Sequence, residues 1–265
     1  MRRANPVARS DLAGFFSYPA ALRSLGVLLG ILALVLYAWW PRGALAYNLR
    51  TTTPPQTFAA VALALLAAAS YLNARAGAGE YAPPGETGLV DLVSLTPVPV
   101  ASVVAGRLAS GAVLVVFQLS LGLPFLLATL GVSGVSAVAL VPALSVIGCS
   151  ALAWRTSALA MRLTLPDHPL LRDIVLFASG TAFLVATFTL APACNPVAAL
   201  LDLAAGGARP MSVFSASLPF FAVSAIISAL VVAAATAVSY AALRAARNAA
   251  QHGEGNDGND AGHRA

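Results

Sequence analysis

Lysine is absent from the 265 residues: all 15 basic side chains are arginine. A Walker A loop needs a lysine to reach the β- and γ-phosphates, and Schiff-base chemistry needs one to supply the amine. The sequence has neither. Charge is scarce too, at 9% of residues against 59% hydrophobic, with a mean hydropathy of +0.83. Average soluble domains hold about 25% charged residues, and so few charges cannot cover a water-soluble globule of this length. A soluble enzyme, a disordered chain and a nucleic-acid-binding domain are set aside on that ground. The two cysteines, Cys149 and Cys194, have neither the spacing nor the neighbours of a metal site or a disulfide framework.

Carboxylates are missing over long stretches. None lies between Asp11 and Glu80, between Asp91 and Asp167, or between Asp202 and Glu254. His168 falls in a polar Pro-Asp-His-Pro turn, and His252 and His263 fall near the C-terminal end. The apolar blocks are therefore expected to hold no carboxylate, imidazole or lysine. Ion-coupled transporters commonly use buried ionisable groups or broken helices, and a membrane hydrolase or transferase needs a base beside its nucleophile. Neither pattern is present, so an enzyme and a metal site are not expected.

What the sequence does have is six long apolar segments: Leu25–Trp40, Thr57–Leu72, Leu108–Leu130, Ser136–Trp154, Ile174–Leu190 and Val213–Leu243. Each approaches or exceeds the roughly 17–25 residues of a membrane-spanning helix, and helix satisfies the backbone where no water can. The alternating short strands of a membrane barrel do not occur. The expected fold is an all-α membrane protein with residues 1–24 as a cytoplasmic N-terminus, 25–247 as a six-helix transmembrane domain and 248–265, rich in Gly, Asn and Asp, as a disordered tail.

Arginine distribution sets the expected orientation. With the N-terminus cytoplasmic, twelve arginines lie inside and only Arg42, Arg50 and Arg209 outside, with both termini inside. This scatter suits a lipid bilayer as partner better than a nucleic acid. Ala44-Leu45-Ala46 has the look of a signal-peptide cleavage site. The long basic region before it and the Trp39-Trp40-Pro41 interface anchor favour an uncleaved first span. Before that span, Asn5 suits a cap and Pro6 a first helical position, and Ala8, Leu12, Phe15, Pro19 and Leu22 share a face. This predicts an amphipathic helix lying on the inner leaflet.

Small residues at helical spacing suggest close packing: Gly26 and Gly30 form a GxxxG, and Ser217, Ser224 and Ser228 share one side of the last segment. Between the second and third segments, Pro83-Pro84-Gly85 makes a turn and residues Glu86 to Leu95 can form a short helix with Leu89, Leu92 and Val93 apolar. Thr96-Pro97 reads as a cap and first helical position, and Arg107 is placed to snorkel at the interface.

The run Glu86-Thr87-Gly88-Leu89-Val90-Asp91-Leu92, then Thr96-Pro97-Val98, then Val104-Ala105-Gly106-Arg107-Leu108 resembles the cytoplasmic signature of ABC-2 type transporter permeases. Arg107 stands where that family commonly has lysine, and the acidic and basic run upstream is thin. The family's plan is similar along nearly the whole chain: an interfacial N-terminal helix, six spans and both ends inside. Its short re-entrant helices before the last span have a plausible counterpart at Asn195-Pro196 through Leu203.

The resemblance implies a permease subunit of an exporter in the cell's inner (plasma) membrane, paired with a second permease copy or paralogue. Residues Glu86, Thr87, Gly88, Leu89, Asp91, Leu92, Thr96 and Pro97 would form a coupling helix that docks on a separate ABC ATPase subunit. ATP and Mg would bind there, and this chain would need no cofactor of its own. The alternative reading is a non-transporting membrane scaffold or an orphan integral membrane enzyme.

Overall fold

The computed structural model describes residues 5–41, 56–81, 97–166, 168–206, 210–213 and 216–260. Six of its helices are long and apolar enough to cross a membrane, as expected of an all-α membrane protein. Asn5 caps the first helix, α1 (Pro6–Ser17), by accepting from the Val7 N–H at 3.0 Å, with Pro6 at the first position. The amphipathic face expected to run on through Pro19 and Leu22 is instead cut there. The residue before a proline is pushed out of the helical region, and Tyr18 is extended. Pro19 then opens a new helix, α2 (Pro19–Trp39), on which Leu22 is exposed.

The remaining helices are α3 (Gln56–Ala78), α4 (Val100–Ser133), α5 (Leu140–Thr164, after a 3₁₀ turn Ala137–Ala139), α6 (Pro169–Leu190), α7 (Pro196–Ala204) and α8 (Phe220–Asp260). Thr57 donates to the Trp39 carbonyl at 2.9 Å, which closes α2 and α3 at one end. Helix α3 is the central post: 67% of its most apolar stretch is buried, against 6% for α6. Phe58, Val61, Leu65 and Ala69 make its core face, packed on Leu28 and Leu32 of α2, Leu126 of α4 and Ile147 of α5. A buried amide pair joins α3 to α4, Asn73 donating to Gln118 at 2.6 Å. Burial of that apolar surface would give little in lipid. Close van der Waals packing and interhelical hydrogen bonds carry the association instead.

Three boundaries differ from expectation. Helix α4 begins at Val100 with Pro99 as its cap, so Pro97 lies outside the helix and exposed rather than at its first position. Pro99 forces Val98 out of the helical region, which delays the start. The last span begins at Phe220, because Pro210–Val213 and Ala216–Pro219 form a two-stranded hairpin with Pro210 opposite Pro219; Ser217 therefore sits in a strand, not beside Ser224 and Ser228. Prolines at its ends fit, since they lack the ladder N–H. Helix α8 then continues past Arg247 to Asp260, where residues from 248 onward were expected to be disordered. Extending an existing helix fixes one residue per hydrogen bond gained, which is far easier than nucleating one.

Candidate functional site

Charge collects at one end of the bundle. The helices alternate in direction, so the end of α3, the starts of α4 and α6 and the ends of α5 and α8 lie together. There the described residues include Arg75, Glu80, Arg107, Arg155, Arg162, Arg172, Asp173, Arg244 and Arg247. The opposite end has Asp202.

The centre of this end is an ionic cluster built from three helices. Asp11 of α1 pairs through one carboxylate oxygen with Arg107 of α4 and through the other with Arg155 of α5, the latter at 3.0 Å. Ser110, one turn from Arg107, also donates to Asp11, and Arg155 lies 3.3 Å from its hydroxyl. Arg155 is only 8% exposed. Glycines make room for it. A Cβ on Gly111 would lie 2.7 Å from Arg155 Cδ and Nε, and one on Gly77 would overlap the Arg155 carbonyl. Helix α1 is held to α4 in the same way, since a Cβ on Gly106 would come within 2.8 Å of Val7 Cβ, and Asn5 donates to the Ser102 carbonyl at 2.8 Å. So α1 is fastened to the bundle by charge and by close backbone approach.

The expected coupling residues Glu86, Thr87, Gly88, Leu89, Asp91, Leu92 and Thr96 lie outside the described residues. The chain on either side of them is firmly tied. On one flank Glu80 pairs with Arg75, which also lies 3.6 Å from Asp173. Tyr81 next to it packs edge-on against Phe15 of α1, with centroids 5.5 Å apart. On the other flank Arg247 of α8 donates to the Val98 carbonyl. Partial burial raises the Glu80 carboxyl above its ordinary range, opposed by the Arg75 guanidinium and reinforced by the Asp173 carboxylate.

A second feature lies between α5, α6 and α8, a crevice of about 240 Å³. Ser150, Trp154, Gly180, Phe183, Ser228 and Val231 are among the residues lining it, and among the described residues no charged side chain does. Trp154 stacks on Phe177 and occupies the place a Cβ on Gly180 would need. Ser150 and Ser228 face each other at 3.4 Å.

Near its other end Asn195 makes a three-way tie. Its side-chain oxygen accepts from the Val197 and Ala198 N–H groups and caps α7, while its amide donates to the Leu184 carbonyl at 2.6 Å and to Thr187 at 2.9 Å. Asn195 is fully buried, and Pro196 takes the first helical position. The short helix is thereby locked to α6.

The sequence-derived packing pair Gly26 and Gly30 faces away from the bundle, with nothing within 4 Å of a Cβ at either. The close approaches fall on Gly77, Gly79, Gly106, Gly111, Gly122 and Gly180 instead. Arg155 follows directly on the expected span end at Trp154 and is one of the twelve arginines assigned to the inner side. Its signal was the run of helix-compatible residues that follows it, which carries α5 to Thr164 and puts Arg155 inside the helix. Asp11 was missed as a partner because nothing local says where α1 docks. Among the described residues no group of three or more His, Cys, Asp and Glu side chains could hold a metal ion. Comparison with family models, with curated proteins and with solved structures finds no match.

Proposed function

We propose that the chain is the permease subunit of an ABC-2 type ATP-driven exporter, coupling ATP hydrolysis on a separate subunit to movement of cargo through the membrane. The observation that carries the reading is the anchoring of residues 80–81 and 98 to α1, α3 and α8, with the Asp11–Arg107–Arg155 cluster immediately behind. A push on the segment between those anchors would reach several spans at once. In this reading the charged end is cytoplasmic, α1 is the interfacial helix, α7 is the re-entrant segment, and the segment from Glu86 to Pro97 docks the ATPase. The energy enters as differential binding of ATP to two conformations. The lysine-free sequence fits a partner that supplies the phosphate-binding loop. The uncharged crevice between α5, α6 and α8 suits an apolar or amphipathic, lipid-like cargo.

Purification in mild detergent should bring an ATPase with the chain, and Leu92→Asp or Asp91→Arg should abolish transport while leaving the protein inserted and folded. Normal transport with full ATPase stimulation in those variants would refute the docking role. Nucleotide hydrolysis by the isolated chain, or glycosylation of a tag beside Glu86 from the exterior, would refute the exporter reading.

A further inference from the structure

Among the described residues the arginine cluster is not electrically balanced. Arg107 and Arg155 bring two positive charges and Asp11 one negative, and the charges acting on Arg155 are those of Asp11 and Arg107. The remaining positive charge is shared between the half-buried Arg107 and Arg155, which is shielded from water at 8% exposed. Its Nη2 reaches Asp11 and Ser110, but its Nη1, like Nε of Arg107, has no hydrogen-bond partner among the described residues. Leaving a buried guanidinium N–H without an acceptor is costly, and leaving a buried charge without a counter-charge more so.

Beside these groups lies a cavity of about 20 Å³. Gly77, Arg107, Arg155, Thr156, Thr236 and Ser239 are among the residues lining it, and among the described residues no carboxylate does. A water needs roughly 10–15 Å³ of such space, so the cavity is sized for one small species rather than for a phosphate, sulfate or lipid headgroup. A water would accept from the free N–H groups but would leave the charge in place. A small anion answers both.

We propose that this cavity binds one small monovalent anion of the halide class, held by the Arg155 and Arg107 guanidinium groups with the Thr236 hydroxyl of α8 as the supporting donor, since the Thr156 and Ser239 hydroxyls already donate to backbone carbonyls. The site completes the junction of α1, α4 and α5 and does not depend on the exporter reading. The bound anion and the Asp11 carboxylate share the two arginines, so each partly replaces the other.

The test is thermal unfolding of the purified full chain in detergent, titrating sodium chloride or bromide into sodium gluconate at constant ionic strength. Chloride and bromide should give a saturable rise in melting temperature, while sulfate and gluconate give none. Asp11→Asn removes the competing negative charge and should tighten the chloride midpoint roughly tenfold, and Thr236→Val should weaken it several-fold. A response to chloride no larger than that to sulfate would overturn the proposal and leave a water there. So would an Asp11→Asn variant whose chloride midpoint is unchanged or weaker.

Discussion

Asp11 and Arg155 stand 144 residues apart in the chain and 3.0 Å apart in the fold. That contact, with Arg107 on the other carboxylate oxygen, fastens the N-terminal helix to the middle of the bundle's charged end. An interfacial helix held only by lipid would slide freely, whereas this one moves with α4 and α5.

Breaking the pair from one side should therefore be severe. Asp11→Ala leaves the buried Arg155 and the half-buried Arg107 without their carboxylate and should cost about 3 kcal/mol of stability in chloride-free buffer. Asp11→Leu combined with Arg155→Met removes the charge from both sides and should recover most of that loss. Unfolding in detergent checks this, and equal losses in the single and double variants would show that the pair contributes through shape alone.

Glycine substitutions separate two kinds of small residue. Gly77→Ala and Gly111→Ala force a methyl against the Arg155 backbone and side chain and should each cost about 1–3 kcal/mol. Gly26→Ala and Gly30→Ala meet open space and should change the stability of the isolated chain by no more than about 0.5 kcal/mol. Melting temperatures of the four variants decide the matter.

Asn195→Ala removes the cap of α7 and its tie to α6 together. The cap alone is worth about 1 kcal/mol, and loss of the bonds to Leu184 and Thr187 should let α7 separate from α6. Cysteine labelling at Leu200, fully buried in the intact protein, should become several-fold faster in an Asn195→Ala background. Unchanged labelling would mean that packing holds α7 without the cap.

Glu80 gives a pH signature. Its carboxyl titrates above the ordinary range because burial outweighs the attraction of Arg75. The folded protein then binds this proton more readily than the unfolded chain. The contribution is favourable below the ordinary carboxylate value and is lost as pH rises through the raised one. Infrared titration should place the Glu80 band above that of an ordinary glutamate, and Arg75→Gln should move it higher still. Movement downward in Arg75→Gln would overturn the assignment of Arg75 as the stabilising charge.

Much of the fold could be read from local signals. Asn5-Pro6 announced a capped helix start, since a side-chain acceptor followed by a residue without an N–H satisfies the first turn whatever surrounds it; Asn195-Pro196 is built the same way but was reached only through the family resemblance. Long apolar runs announced the spans because their length alone matches the bilayer. The starts of α4 and α8 were less legible: Pro99 and the hairpin at Pro210–Pro219 take residues that apolarity alone assigns to helix.

The sequence by itself determined the solvent, the number of spans and the absence of a phosphate-binding lysine, because composition and run length act without reference to distant residues. Only the tertiary structure decided which arginine is buried, which carboxylate meets it and which glycines matter. Those depend on how helices far apart in sequence approach one another. The GxxxG pair faces outward, while Gly77 and Gly111, with no motif to mark them, make the space for Arg155.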